Sequence, residues 1–265
     1  MTNETTDSSI DLSIAGPLAT ITISNLRHHN AMTLKMWHAL PALVSQADRD
    51  PTVRAILIRG AGTTAFVSGA DISEFADLRA RGAPARAYDK ANSVAFAAIR
   101  DCSKPTIAMI QGACMGGGFG IAAACDLRYA TDTSSFAIPA AKLGIGYPVD
   151  AVQDIVSAIG SSAAKELFYT ARTIDAQEAK KLGFLNQIFA HDTLEAGVLS
   201  IADQIVRGAP LTLQAAKKAI TAAERPSDLT IQEANMAAET CFDSLDYEEG
   251  VSAFLNKRST KFKGN

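Results

Sequence analysis

The chain has 265 residues, 48% of them hydrophobic and 20% charged, with a net charge of −3. That composition describes a globular protein able to bury a large core without disulfide or metal staples, and it offers no basic field for nucleic acid or anionic lipid. No apolar run approaches the ~18 residues that a membrane-spanning helix needs, and Met1–Ile10, polar and without an apolar stretch, reads as a loose tail, so the expected location is the cytoplasm.

In chain order, "ATITIS" (19–24) alternates apolar and polar residues as a half-buried strand does. "TLKMWHALPALVSQADRD" follows with helical spacing behind Thr33 as a plausible N-cap. "VRAILIRG" reads as a largely apolar strand, and the stretch from Pro84 to Cys102 as a helix. "PTIAMIQG" has the composition of a strand buried on both faces. A glycine-rich turn and short helix, "GACMGGGFGIAAACD" (112–126), come next, followed by "LRYATDTSSFAI" as further strand. Beyond Val149 the segments are helical, interrupted by the strand "LNQIFA". This order predicts an α/β core with a helical C-terminal part. No internal repeat is visible in the residues.

Three chemistries begin with a strand, a glycine turn and a helix. Gly118, Gly120 and Ala123 satisfy G-x-G-x-x-A, as do Gly60, Gly62 and Ala65. A dinucleotide fingerprint also wants an acidic residue about 20 positions on, where "FAIPAA" has none. Gly112-Ala113-Cys114-Met115-Gly116 matches the G-x-C-x-G of a nucleophile elbow, with His191 as base and Asp150, Asp154 or Asp175 as acid. The third reading takes two turns together. "AFVSGADISEF" and "ACMGGGFG" each follow a parallel-type strand, and together they could aim two backbone N–H groups at one developing oxyanion. Of the cysteines, Cys102, Cys114, Cys125 and Cys241 have no CxxC or metal-ligand spacing and read as reduced thiols. The histidines form no HxxxH pair, so no metal site is expected.

"AFVSGADISEF", "KPTIAMIQGACMGGGFGIAAACDLRYA", "TSSFAIPAAKLGIGYP", "TARTIDAQEAKKLGFLNQI" and "YEEGVSAFLNKRSTKFKG" resemble, in order, the motifs of the crotonase superfamily, the enoyl-CoA hydratase/isomerase family. The resemblance runs from about Leu12 to the end. It implies a ClpP/crotonase-type α/β spiral of ββα units over residues 11–195 and a helical C-terminal trimerisation region over 196–265. It also implies an acyl-CoA substrate, no separate cofactor, and assembly as a homotrimer or a hexamer.

Carried over residue by residue, Ala70 and Gly117 match the two peptide donors that grip the thioester oxygen. Ser68, Gly69, Asp71 and Ile72 match the stretch along the adenine and pantetheine path. Lys257 matches a basic residue near the CoA phosphates, and Phe262 could lie against the nucleotide. His28 and His29 fall in a turn that touches the nucleotide in relatives. The glutamates that handle water in typical hydratases are replaced by Gly120 and Ala140, neither of which can carry a proton. The C-terminal half resembles the methylmalonyl-CoA decarboxylase branch, including a tyrosine at Tyr147. Pro139 stands where that branch places a small polar contact, and Ala70 where it places a histidine.

These residues point to a lyase that forms a thioester enolate by decarboxylase-like chemistry, with Ala70, Gly117 and Tyr147 as the catalytic set. Hydration or isomerisation through Tyr147, Asp150 or a bound water is the second reading. A Cys114 hydrolase and an acyl-CoA-binding protein of low activity complete the set. Asp150 could equally be a helix N-cap.

Overall fold

The computed structural model describes residues 8–75 and 82–265. Residues 1–7 of the expected tail lie outside them. Ser9 and Ile10 already belong to the first strand, β1 (Ser9–Ala15), which hairpins antiparallel onto β2 (Leu18–Ser24). In β2 the alternation is realised: Ala19, Ile21 and Ile23 are buried and their neighbours are not.

From β2 onward the chain climbs in repeated turns. Each turn places one strand in a large sheet and the next in a small one. β3 (Ala55–Gly60), β5 (Thr106–Ile110) and β7 (Leu127–Thr131) pair in parallel within the large sheet. β4 (Ala65–Val67), β6 (Ala113–Met115) and β8 (Ser135–Ala137) pair in parallel within the small one. β9 (Thr173–Asp175) closes the small sheet antiparallel to β8, and β10 (Gln187–Phe189) returns to the large sheet beside β7. The strand orders are β1-β2-β3-β5-β7-β10 and β4-β6-β8-β9. Helices α2 (Ala83–Arg100), α3 (Gly117–Ala124) and α4 (Ala140–Leu143) follow the successive strand pairs. The ββα unit thus recurs three times in space although the residues do not repeat, because a shared backbone path needs only the same burial pattern, not the same side chains.

Helix α1 (Leu34–Arg49) starts where expected, the Thr33 hydroxyl accepting from the Met36 N–H at 3.3 Å. Its apolar face carries Trp37, which is 0% exposed. β5 is buried at every residue. Alternate residues of the large sheet feed two cores. Ile56, Ile58, Ala108 and Ile110 face the main one. Leu57, Ile107, Met109 and Tyr129 meet Leu194, Val198 and Ala202 of α7 (Leu194–Val206) on the other face. The helix that crosses the expected 195/196 boundary is therefore part of the sheet's cover.

The helical region expected beyond Val149 begins with α5 (Val149–Thr170), which kinks at Gly160, the one residue with non-helical angles inside it. α6 (Ala176–Lys181) is capped by Asp175, whose carboxylate accepts from the Glu178 N–H. Beyond the sheet lie α8 (Pro210–Glu224), α9 (Asp228–Phe242) and α10 (Leu245–Leu255). Charge ties them to the core. Asp154 of α5, 4% exposed, accepts from Arg100 of α2 at 3.0 Å and from Arg225, just past α8, at 2.6 Å. Lys217 of α8 reaches Asp126 at 2.9 Å. No helix among the described residues is long and apolar enough to cross a membrane.

Candidate active site

The two glycine turns meet. The loop Ser68–Ile72 lies against residues 28–32 through a parallel bridge between Met32 and Ala70. There the Met32 N–H donates to the Gly69 carbonyl and the Asp71 N–H donates to the Met32 carbonyl, both at 2.8–2.9 Å. Those bonds flank Ala70 and turn its own N–H to the opposite side of the strand. Gly117 lies on that side. A Cβ placed on Gly117 would stand 3.9 Å from the Ala70 nitrogen, and one placed on Gly69 would stand 3.8 Å from the Gly117 nitrogen. Gly117 opens α3, where the first N–H groups have no partner within the helix. Two peptide nitrogens from separate segments are therefore neighbours at a helix N-terminus, an arrangement suited to holding an oxygen that gains negative charge.

Gly116 makes the turn possible with φ +52°, a left-handed angle that L side chains adopt only under strain. The same glycine run leaves no cradle for a phosphate, since Gly118 packs so tightly on β4 that a Cβ would sit 2.2 Å from the Val67 carbonyl oxygen. Packing, not phosphate binding, accounts for that part of the fingerprint.

A cleft of about 100 Å³ opens over the two amides. Of the residues singled out in the sequence, Ser68, Gly69, Ala70, Ile72, Gly117, Pro139 and Tyr147 line it. A Cβ on Gly116 would lie 3.7 Å from both the Tyr147 hydroxyl and the Pro139 Cδ, so both overhang the turn. The Tyr147 ring is steadied edge-on by Phe168, with centroids 5.1 Å apart.

Asp71 behaves differently from its expected role along the CoA path. Its side chain is 6% exposed and turned inward, accepting from Asn25 Nδ2, the Ser73 hydroxyl and the Ser73 N–H, and paired at 2.8 Å with His28 Nδ1. Burial pushes this carboxyl up, but the hydrogen bonds from His28 and Ser73 outweigh it and hold the group below its ordinary range. Its carboxylate fastens the Ala70 loop to the turn at 25–32. Lys257 and Phe262 do not reach this cleft in the same chain. Lys257 lies exposed just beyond α10, and the Phe262 ring packs 3.6 Å from where a Gly250 Cβ would be, in the groove among α8, α9 and α10. The segment is held there because Asp246 accepts the N–H groups of Lys263 and Gly264.

Asp150 is not the N-cap of α5. Pro148 holds that position, while Asp150 lies in the first turn and accepts from the Ser93 hydroxyl at 3.4 Å. Cys114 sits in the main core at 0% exposure, and burial pushes its thiol well above the ordinary value. A nucleophilic cysteine needs its thiolate, and His191 meanwhile sits beside Gln111 at the surface. The elbow reading has no constellation behind it. Among the described residues no group of three or more His, Cys, Asp or Glu side chains could hold a metal ion.

The residues that the sequence did not single out are the aromatic ones beneath the turn. A Cβ on Gly117 would come within 2.8 Å of the Trp37 ring, and one on Gly120 within 2.6 Å of the Phe96 ring. Trp37 and Phe96 meet edge-on at 5.6 Å. The space that a side chain at 120 would need is thus filled by Phe96 from α2. Ala140, the other position without an acid, lines the cleft. Both aromatic residues lie on regular helical faces, but nothing in the linear sequence reveals which glycine each would touch.

With this geometry in hand, the chain compares closely with known proteins. The sequence model of the enoyl-CoA hydratase/isomerase family matches residues 13–265. A short-chain-enoyl-CoA hydratase of Clostridium acetobutylicum is 30% identical over 244 residues, spanning 92% of this chain and 93% of that protein. A peroxisomal Delta(3,5)-Delta(2,4)-dienoyl-CoA isomerase of Arabidopsis thaliana is 31% identical, spanning 91% and 90%. The crystal structure of an enoyl-CoA hydratase/carnithine racemase from Magnetospirillum magneticum superposes with a TM-score of 0.91 at 34% identity, covering 97% of this chain and 96% of that one.

Proposed function

The chain belongs to the crotonase superfamily, the enoyl-CoA hydratase/isomerase family, and from that premise we propose that it binds an acyl-CoA thioester and stabilises its enolate between the N–H groups of Ala70 and Gly117. The observation that carries this reading is the approach of those two nitrogens across the glycine turn. Each such donor is worth about 3–4 kcal/mol of transition-state stabilisation in sites of this kind.

Decarboxylation is the reaction best matched to what the cleft contains. In a malonyl-type thioester the bond to the carboxylate breaks, its electron pair moves onto the thioester carbonyl oxygen, and carbon dioxide leaves. The enolate then takes a proton at its α-carbon. That sequence needs an oxyanion site and one proton donor but no general base. In this reading Tyr147, which overhangs the turn, is the donor, with water as the alternative source. Gly120 and Ala140 carry no acid, and Phe96 occupies the volume beside Gly120. Hydration or isomerisation is the second reading, favoured by the activities named for the relatives. It would have to run through Tyr147, Asp150 or a bound water.

Incubation with a panel of acyl-CoA thioesters, followed by mass spectrometry, separates the two. Release of carbon dioxide from methylmalonyl-CoA, lost in Tyr147→Phe, is the expected result. Hydration of crotonyl-CoA at ordinary hydratase rates would overturn it in favour of the second reading. Binding without turnover on any thioester would leave a binding protein of low activity. The proposal takes the enzyme as a cytoplasmic homotrimer or hexamer, in which the apolar surface of α9 and α10 is covered and Lys257 and Phe262 lie near a neighbouring copy.

A further inference from the structure

One polar atom of a cleft-lining side chain is left unpaired. Asn92 stands in the middle of α2, and its Oδ1 is buried with no hydrogen-bond partner among the described residues. Buried polar groups are almost always paired, and one that is not calls for a functional account. Local structure supplies none. Asparagine is a weak residue for a helix interior, since its side chain competes for backbone groups, and here it caps nothing.

Its position supplies one. Asp89, Asn92 and Phe96 fall at i, i+3 and i+7, on one face of α2, and all three line the cleft. Phe96 marks the inner end, against Gly120 and Trp37. Asn92 follows one helical turn back, about 6 Å along the axis. Around it the wall is apolar, with Phe75, Leu143, Ile145 and Ala151.

We propose that Asn92 selects acyl-CoA thioesters whose acyl chain carries a hydroxyl group remote from the thioester. A hydroxyl can donate to the amide oxygen and accept from the amide nitrogen, so it satisfies Asn92 in either orientation of the amide. The inference rests on the enolate reading above, but not on which bond breaks afterwards. Sites that hydrogen-bond a substrate hydroxyl discriminate strongly against the analogue lacking it, because the site's own polar group is then left unpaired.

The test titrates the full-length protein with 4-hydroxybutyryl-CoA, butyryl-CoA and free CoA by calorimetry. The expected result is that the hydroxylated ester binds about tenfold tighter or more. Asn92→Leu should erase that preference without weakening butyryl-CoA. Equal binding of the two esters by the unaltered protein would overturn the inference whatever the variant does, and would leave the enolate reading standing. A preference that survives Asn92→Leu would also overturn it. So would loss of free-CoA binding in the variant, which would assign the amide to the pantetheine arm. Failure of every thioester to bind would bring down the enolate reading itself, and this inference with it.

Discussion

Beneath the glycine turn, the aromatic side chains meet other parts of the same chain. Trp37 of α1 lies under Gly117, Phe96 of α2 fills the space beside Gly120, and both are essentially inaccessible to solvent. In the C-terminal helices the balance is reversed. Phe254 is 84% exposed, Leu255 74% and Phe242 67%, on a groove lined also by Tyr247 and Val251. Contiguous exposed apolar surface on this scale marks a contact region. The floor of the first region is packed within one chain. The second is unfinished within one chain, which makes it the place where another copy would matter most.

That contrast can be broken at either end. Trp37→Ala should cost about 3–5 kcal/mol of unfolding free energy, read by urea denaturation, because nothing else can fill the floor beneath the turn. Ala70→Pro removes one N–H without touching the bonds of the Met32 bridge. It should lower kcat by at least about 10²–10³-fold, since the proline ring also occupies the space the N–H faces, with the melting temperature as the check on folding. Gly120→Ala forces Phe96 off its contact, and a cost of about 1–3 kcal/mol is expected, measured by thermal unfolding. If it is neutral, the floor is looser than its geometry indicates.

At the C-terminal end the effects are smaller and conditional. Glu249 is held down to about 2 by hydrogen bonds from the Arg258 side chain and the Lys261 N–H, against an ordinary 4.5. A carboxyl depressed in the folded state contributes stability that is complete above its unfolded pKa and fades as pH falls toward the folded one. Amide exchange of residues 258–263 should therefore accelerate as pH is lowered from about 4.5 towards 2, relative to the core strands and after correction for intrinsic rates. Phe254→Ser should shift the stability of an isolated chain by about 0.5 kcal/mol or less. Light scattering should nonetheless show a lower molar mass. An unchanged mass would remove α10 from the assembly interface.

Much of this was legible beforehand. Strands β2, β3 and β5 and helix α1 with its Thr33 cap follow from local periodicity and spacing, which act over a few residues, whereas the pairing of the two glycine turns is one of three readings of the residues and is favoured by the family resemblance. The short strands β4, β6 and β9, at three residues each, carry too little pattern to be read singly. They exist because neighbours in the small sheet supply their hydrogen bonds.

The sequence by itself determined the order of strands and helices and the places where glycine removes a side chain. Each of these is a property of a residue and its immediate neighbours. Only the tertiary structure decided that Phe96 fills the space beside Gly120, that Asp71 fastens its own loop instead of facing the cleft, that Cys114 is sealed in the core, and that the Oδ1 of the cleft-lining Asn92 has no partner among the described residues. Those outcomes depend on contacts between segments far apart in the chain, where the direction of a side chain is set by how two elements pack and not by the residues on either side.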